Sequence, residues 1–241
     1  VVQLPVTFIM AAYVLWTFWN ALNDPLIGYL SDKTHSRWGR RKPYIMIGTI
    51  PIIIIEIILW LPPTSSYFLT FIYLLILLIC YDTFYSMVAL PYDSLFPELY
   101  TSVEERAEVN GIKQVLSTLG MLCAFLVPGI FIADLTEGTG YLINGIVTSM
   151  IVGATLLFSL KYGVKEREEF SLDHQQGFGF LEGLKYSFKN RGFVLYTIMF
   201  FAYEYVLLVL ATVTPPYGRE ILGASPFMTS LLLGLMMIVG V

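Results

Sequence analysis

Charge is what this sequence has least of. Of its 241 residues 13% are Asp, Glu, Lys or Arg against 56% hydrophobic, and the mean hydropathy is +0.71. An ordinary soluble domain carries about a quarter charged residues, so a water-soluble globule is excluded. Cysteine and histidine are scarce as well, at two each. Cys80 and Cys123 sit singly in apolar runs, which excludes a disulfide framework or a CxxC metal site and reads as packing. His35 and His174 fall in polar stretches with no partners for metal or catalytic work. No HExxH, GxSxG or paired His and Asp arrangement occurs, so neither enzyme chemistry nor a cofactor is indicated. A net charge of -4 leaves no basic footprint for nucleic acid.

What is present is a series of long apolar runs. A bilayer-crossing helix needs about 20 mostly apolar residues. Seven stretches qualify: 5–31, 43–62, 67–95, 107–133, 140–162, 192–214 and 226 onward. The chain opens on Val1 and stops at Val241 inside an apolar run, and is read as part of a longer protein with helices on either side. Lys33, Arg37, Arg40, Arg41 and Lys42 cluster between the first two spans. Arg106 follows the third, and Lys161, Lys165, Arg167, Lys185, Lys189 and Arg191 lie between the fifth and sixth. The opposite loops PPTSS and ADLTEGTG hold no Lys or Arg. Basic loops stay on the cytoplasmic side, so the first span is expected to run from outside to inside. Within the long polar stretch, FLEGLKYSFKN spaces Phe180, Leu184 and Phe188 by four with Lys185 and Lys189 beside them, the pattern of a short amphipathic helix on a membrane surface.

A charged side chain at mid-membrane costs about 2.5–3.5 kcal/mol, so polar groups sharing one helical face are functional candidates. On the first span Asn20, Asn23 and Asp24 fall at i, i+3 and i+4. Clustered carbonyl and carboxylate oxygens suit a hard monovalent cation or a transferred proton; helix-to-helix hydrogen bonding is the competing role. Pro25 comes next, and its missing N–H frees a carbonyl one turn back. On the third span Asp82, Tyr85, Ser86, Ala89 and Asp93 repeat at i, i+3, i+4, i+7 and i+11, a stripe suited to a wet cavity. Lys113, with Gln114 and Ser117 on the fourth span, requires either a carboxylate, with Asp82 and Asp93 the nearest in principle, or a polyhydroxylated or anionic ligand. Glu56 stands alone among isoleucines, to snorkel or to pair with an unseen helix, and Glu204 lies between Tyr203 and Tyr205.

Gly28, Asp32, Lys33 and the run Gly39, Arg40, Arg41 resemble the signature of the major facilitator superfamily between its second and third helices. The longer string NDPLIGYLSDKTHSRWGRRKP, with LPYDSLFPEL, the EER of Glu104 to Arg106 and KNRGF, is similar more narrowly to the glycoside-pentoside-hexuronide cation symporters, the group of melibiose permease. The resemblance covers essentially the whole chain and implies an all-α transmembrane bundle of major facilitator type, with the visible spans as helices II to VIII of twelve. Residues 1–163 would then be most of a first bundle, 164–191 a central cytoplasmic loop with its amphipathic helix, and 192–241 the start of a second bundle.

By position, the resemblance implies that Asn23, Asp24 and Ser86 match cation-site residues, with Asn20 at the place of a second acid and Ala89 at that of another. An amide supplies a dipole without the full charge, so sodium binding should weaken, and proton coupling through Asp24 or uncoupled transport gains ground. Lys113 matches a sugar-binding arginine, though without its planar fork, and Tyr85 and Asp93 match positions near it; Asp82 joins them as a substrate-contact candidate. Gly28, Asp32, Arg40 and Arg41 would serve the cytoplasmic gate. The expectation is a secondary transporter of the plasma (inner) membrane, working as a monomer in the bilayer. It would carry a sugar or glycoside with Na+ or H+ as coupling ion. A lysolipid carrier of the same superfamily and a non-transporting receptor or scaffold are the alternatives.

Overall fold

The computed structural model describes residues 4–34, 36–63, 65–132, 138–166, 180–225, 227–229, 231–232 and 234–235. The described residues form helices α1 (Val6–Lys33), α2 (Lys42–Ile58), α3 (Tyr67–Leu99), α4 (Val103–Phe131), α5 (Gly138–Tyr162), α6 (Phe180–Lys189) and α7 (Arg191–Pro216), and α7 runs into a π turn at Tyr217–Ile221. The chain divides into two compact units, residues 1–111 with 134–173 and residues 112–133 with 174–241. The boundary falls inside α4, so Lys113 belongs to the second unit.

Among the described residues, five helices are long and apolar enough to cross a membrane: Val6–Lys33, Tyr67–Leu99, Val103–Phe131, Gly138–Tyr162 and Arg191–Ile221. At 1.5 Å per residue, α1 and α3 reach about 42 and 50 Å, beyond a hydrocarbon core of about 30 Å. The expected span at 43–62 appears as the 17-residue α2, about 26 Å long. Tighter i→i+3 bonds, Trp60 N–H to Ile57 and Leu61 N–H to Ile58, carry it one further turn. Most of the expected span from 226 onward, and both His35 and His174, lie outside the described residues. Large apolar side chains such as Phe18, Leu22, Ile50, Phe68, Phe158 and Phe201 are exposed, the surface that lipid takes up.

Helix starts follow local chemistry. Ser66 Oγ accepts from Leu69 N–H at the head of α3, Ser102 Oγ from Glu105 N–H at α4, and Asn190 Oδ1 from Gly192 and Phe193 N–H at α7.

In the first unit, α3 packs against both α1 and α2, and α2 also packs against α5. Ile45, Ile52, Val88, Leu95 and Val164 are the buried apolar cluster where α2, α3 and the segment after α5 meet. Small residues let these helices approach, as intramembrane packing requires. A Cβ on Gly48 would lie 2.8 Å from the Phe84 carbonyl oxygen, and one on Gly145 would lie 2.1 Å from the Trp60 ring. Ser149 Oγ donates to the Ile53 carbonyl at 2.9 Å across the α2–α5 seam.

In the second unit, the amphipathic helix expected at Phe180 to Lys189 is α6. Phe188 meets Phe193 of α7 edge-on, with ring centres 6.0 Å apart. After the Pro215–Pro216 pair, Ala224 N–H closes onto the Gly218 carbonyl at 2.9 Å.

Candidate functional site

The i, i+3, i+4 spacing on α1 turns Asn20, Asn23 and Asp24 toward α3, where Asp82 and Ser86 stand one turn apart. Asn20 Nδ2 donates to Asp82 Oδ1 at 2.8 Å, and Asn23 Nδ2 reaches Asp82 Oδ2 at 3.1 Å, the Asp82 carbonyl at 3.3 Å and Ser86 Oγ at 3.0 Å. Ser86 Oγ in turn donates to Asp24 Oδ1 at 2.5 Å. Asn23, Asp82 and Ser86 are 1%, 6% and 2% exposed, so the two carboxylates are linked through a chain of donors shielded from solvent.

Asp82 receives two amide donors and, among the described residues, no cationic partner. Trp19 Nε1 adds a bond to Thr83 Oγ1 at 3.0 Å on the same α1–α3 contact. Pro25 lies beside Asp24 in α1 and leaves the Ala21 carbonyl without its helical donor, one turn from the network.

Beside the network lies a cavity of about 480 Å3 lined by Trp16, Asn20, Asp24, Leu78, Tyr81, Asp82, Tyr85, Ser86, Ala89 and Leu90. It mixes an aromatic and aliphatic wall with four convergent polar side chains, Asn20, Asp24, Asp82 and Ser86, as small-molecule sites do. Tyr81 and Tyr85 stack with centres 6.2 Å apart and planes 11° apart.

The structure thus brings together Asn20, Asn23, Asp24 and Ser86, and joins to them Asp82, which the residue pattern grouped with the substrate contacts. Tyr85 lines the same cavity. Asp93 is exposed on α3 and is not among the lining residues. Lys113 lies on α4 in the second unit.

The donor set meets a hard monovalent cation or a proton in kind: Asp24 and Asp82 supply carboxylate oxygens, Ser86 a hydroxyl, and the two asparagines an amide oxygen each. In the present arrangement the amides turn N–H toward Asp82. A cation placed against Asp82 would meet these N–H groups, and would gain the amide oxygens as ligands only if Asn20 and Asn23 turned.

A second cluster joins the end of α1, the start of α2 and the end of α3. Arg41 Nη2 lies 3.1 Å from Asp32 Oδ1, while Arg40 Nη2 and Arg41 Nη1 each lie 2.9 Å from Glu98 Oε1. Glu166, just after α5, accepts from three successive backbone amides at 2.8 Å: Arg40 N–H at Oε2, and Arg41 and Lys42 N–H at Oε1. These are the orphan donors at the start of α2. Gly39 makes the approach possible. Its φ is +101°, and a Cβ there would lie 2.5 Å from the Glu166 carboxylate. Gly28 shows no such pressure, since nothing lies within 4 Å of a Cβ placed on it.

Glu98 and Glu166 were not singled out from the sequence. Glu98 sits inside the quoted LPYDSLFPEL, but Glu166, in the charged KEREE run, carried no local signal that it reaches back 126 positions to Arg40.

The MFS/sugar transport protein family model matches residues 1–241. An uncharacterized symporter of Synechocystis is 30% identical over 168 residues, 66% of this chain and 31% of that protein. The isoprimeverose transporter of Lactiplantibacillus pentosus is 31% identical over 42% of this chain and 21% of its own length. A sodium-dependent lysophosphatidylcholine symporter of Danio rerio is 26% identical over 46% of this chain and 21% of its own. The chain therefore spans a third or less of the length of these relatives. With a helical bundle of membrane-crossing length, a polar network inside it and a family match from the first residue to the last, this chain belongs to the MFS/sugar transport protein family.

Proposed function

We propose that this chain works as part of a secondary active transporter, a symporter that carries a sugar or glycoside by alternating access and converts no substrate chemically. The observation that carries the reading is the Asn20–Asp82–Asn23–Ser86–Asp24 network opening onto the α1–α3 cavity. Asp24 and Asp82 hold the coupling H+ or Na+, with Asn20, Asn23 and Ser86 as the adjustable partners. Tyr85 and the stacked Tyr81 present ring faces to the substrate, with Asp93 of α3 as a further contact; Lys113 of α4 is assigned to the substrate by the family resemblance alone. Binding of the cation at Asp82 turns the amides, which alters the cavity wall that the substrate meets, so the two ligands favour one another's binding.

Gating falls to the second cluster. Asp32, Arg40, Arg41 and Glu98 close the end of the bundle that carries the basic loops, and the positive-inside rule assigns that end to the cytoplasm of the plasma membrane. Gly28 lets α1 move past its neighbours there.

Uptake into proteoliposomes of the full-length protein tests the reading, with sodium and pH gradients imposed separately over a panel of labelled glycosides and lysophospholipids. Glycoside accumulation driven by one of the gradients is expected, and Asp24→Asn should lose it while retaining exchange of substrate down its own gradient. Full gradient-driven uptake by Asp24→Asn would remove the assignment. Accumulation of lysophospholipid alone would favour a second reading, supported by the Danio rerio relative and by the apolar wall of Trp16, Leu78 and Leu90.

A further inference from the structure

α6 is only 10 residues long, Phe180–Lys189, and a helix shorter than about 12–15 residues is marginal in water by itself. Burial of an apolar face has to hold it. Leu181, Leu184 and Phe188 fall at i, i+3 and i+7, which puts them in one stripe along the helix. Within the described residues that stripe stays open: Leu181 is 77% exposed and Phe188 is 66% exposed.

The position of α6 decides what can cover it. A single residue, Asn190, separates it from α7, and its extended backbone (φ -79°, ψ 109°) breaks the helix there. Asn190 N–H donates to the Ser187 carbonyl at 3.0 Å, while its Oδ1 accepts from the Gly192 and Phe193 amides. The last turn of α6 and the first turn of α7 are thus tied through one side chain. Phe193 is the first apolar residue of the membrane-crossing segment Arg191–Ile221, so it marks where hydrocarbon begins. The Phe188 ring meets the Phe193 ring with centres 6.0 Å apart, which sets the end of the α6 stripe at that same depth.

Charge selects the partner. Lys185 and Lys189, four residues apart, run along one flank of the stripe, Arg191 follows at the start of α7, and all three are exposed. The one acid of α6, Glu182, is exposed as well and its spacing puts it on the side away from the stripe. Lysine stems lie along apolar surface while their ammonium groups reach for anions. An apolar stripe edged by cations, held at the depth where hydrocarbon gives way to headgroups, matches a bilayer surface that carries negative charge.

We infer that α6 is a membrane-docking helix that lays Leu181, Leu184 and Phe188 into the bilayer surface and binds anionic phospholipid headgroups through Lys185, Lys189 and Arg191. It would anchor the start of α7 against the leaflet from which that helix enters the membrane. The inference needs only that α7 crosses the bilayer, and it stands whatever the chain carries.

Electron paramagnetic resonance of the full-length protein reads this without a transport assay. Leu181→Cys, in a cysteine-free background, is spin-labelled and reconstituted into phosphatidylcholine vesicles with and without phosphatidylglycerol. With phosphatidylglycerol present, the label should collide several-fold more with lipid-soluble oxygen than with a water-soluble nickel chelate. That excess should drop without phosphatidylglycerol, and Lys185→Glu with Lys189→Glu should remove the difference between the two lipid compositions. A label that meets the nickel chelate more than oxygen overturns the inference, and so does one shielded from both because protein covers it. An oxygen excess equal in the two compositions overturns it too. If the doubly substituted protein fails to assemble, the two compositions compared with both lysines in place decide the matter.

Discussion

The α1–α3 network and the Arg40–Arg41 cluster are both built from carboxylates between helices, yet they are satisfied in opposite ways. Asp82 receives neutral amide donors from Asn20 and Asn23 beside a cavity. Glu98 and Asp32 face guanidinium groups, and Glu166 is fixed by three backbone N–H groups that cannot rotate away. Charge-assisted bonds to a rigid frame hold one geometry. Amide donors on rotatable side chains can be exchanged for another ligand. On the proposed transport reading, the Arg40–Arg41 cluster would serve as a latch and the α1–α3 network as a site whose ligands come and go.

Four substitutions would break or sharpen that contrast. The largest effect is expected at Asp82: Asp82→Asn should abolish gradient-driven accumulation, because one of the two carboxylates of the network loses its charge. At the latch, Glu166→Ala leaves the Arg40, Arg41 and Lys42 amides leading into α2 without their acceptor, each charge-assisted bond worth about 1.5–3 kcal/mol. It should raise proteolysis of the basic loop before α2 well above wild type, and limited digestion measures this. Asn23→Ala strips donors from the buried Asp82 and from Ser86, a cost of about 1–3 kcal/mol per orphaned group; it should lower the thermal midpoint in detergent while leaving the digestion pattern of that loop unchanged. If Asn23→Ala loosened the loop, or Glu166→Ala spared it, the two regions would not be separate devices. The smallest effect is expected at Thr17, whose hydroxyl bonds only its own helix at the Tyr13 carbonyl on an exposed face. Thr17→Val should shift the midpoint by no more than about 0.5 kcal/mol equivalent.

Much of this was legible in the residues. Apolar length located five of the seven expected spans among the described residues, and i, i+3, i+4 spacing identified the faces of α1 and α3 that carry polar groups. Periodicity names a face but not what faces it. Asn20 and Asp82 are 62 positions apart, and Arg40 and Glu166 are 126 apart, so their pairing depends on helix packing that no local pattern encodes. Asp82 shows the consequence. Its stripe on α3 suggested a wet cavity, which Asp82 does line, but could not show that the same carboxylate meets the α1 amides. Family position had pointed to a missing acid at Asn20 and another at Ala89; Asp82 brings the network back to two carboxylates. The i, i+3 and i+4 pattern of Asn20, Asn23 and Asp24 also underestimated how unequal these three are, since Asn23 alone is fully buried and bridges both Asp82 and Ser86.

The most direct test of the central claim compares two fluxes of one variant. In proteoliposomes of the full-length protein, Asp82→Asn is measured for glycoside accumulation under an imposed sodium or proton gradient and for substrate exchange at equilibrium. Accumulation falling to the level of empty liposomes while exchange continues is the result predicted for a carboxylate that holds the coupling ion. Accumulation at the wild-type level would contradict it.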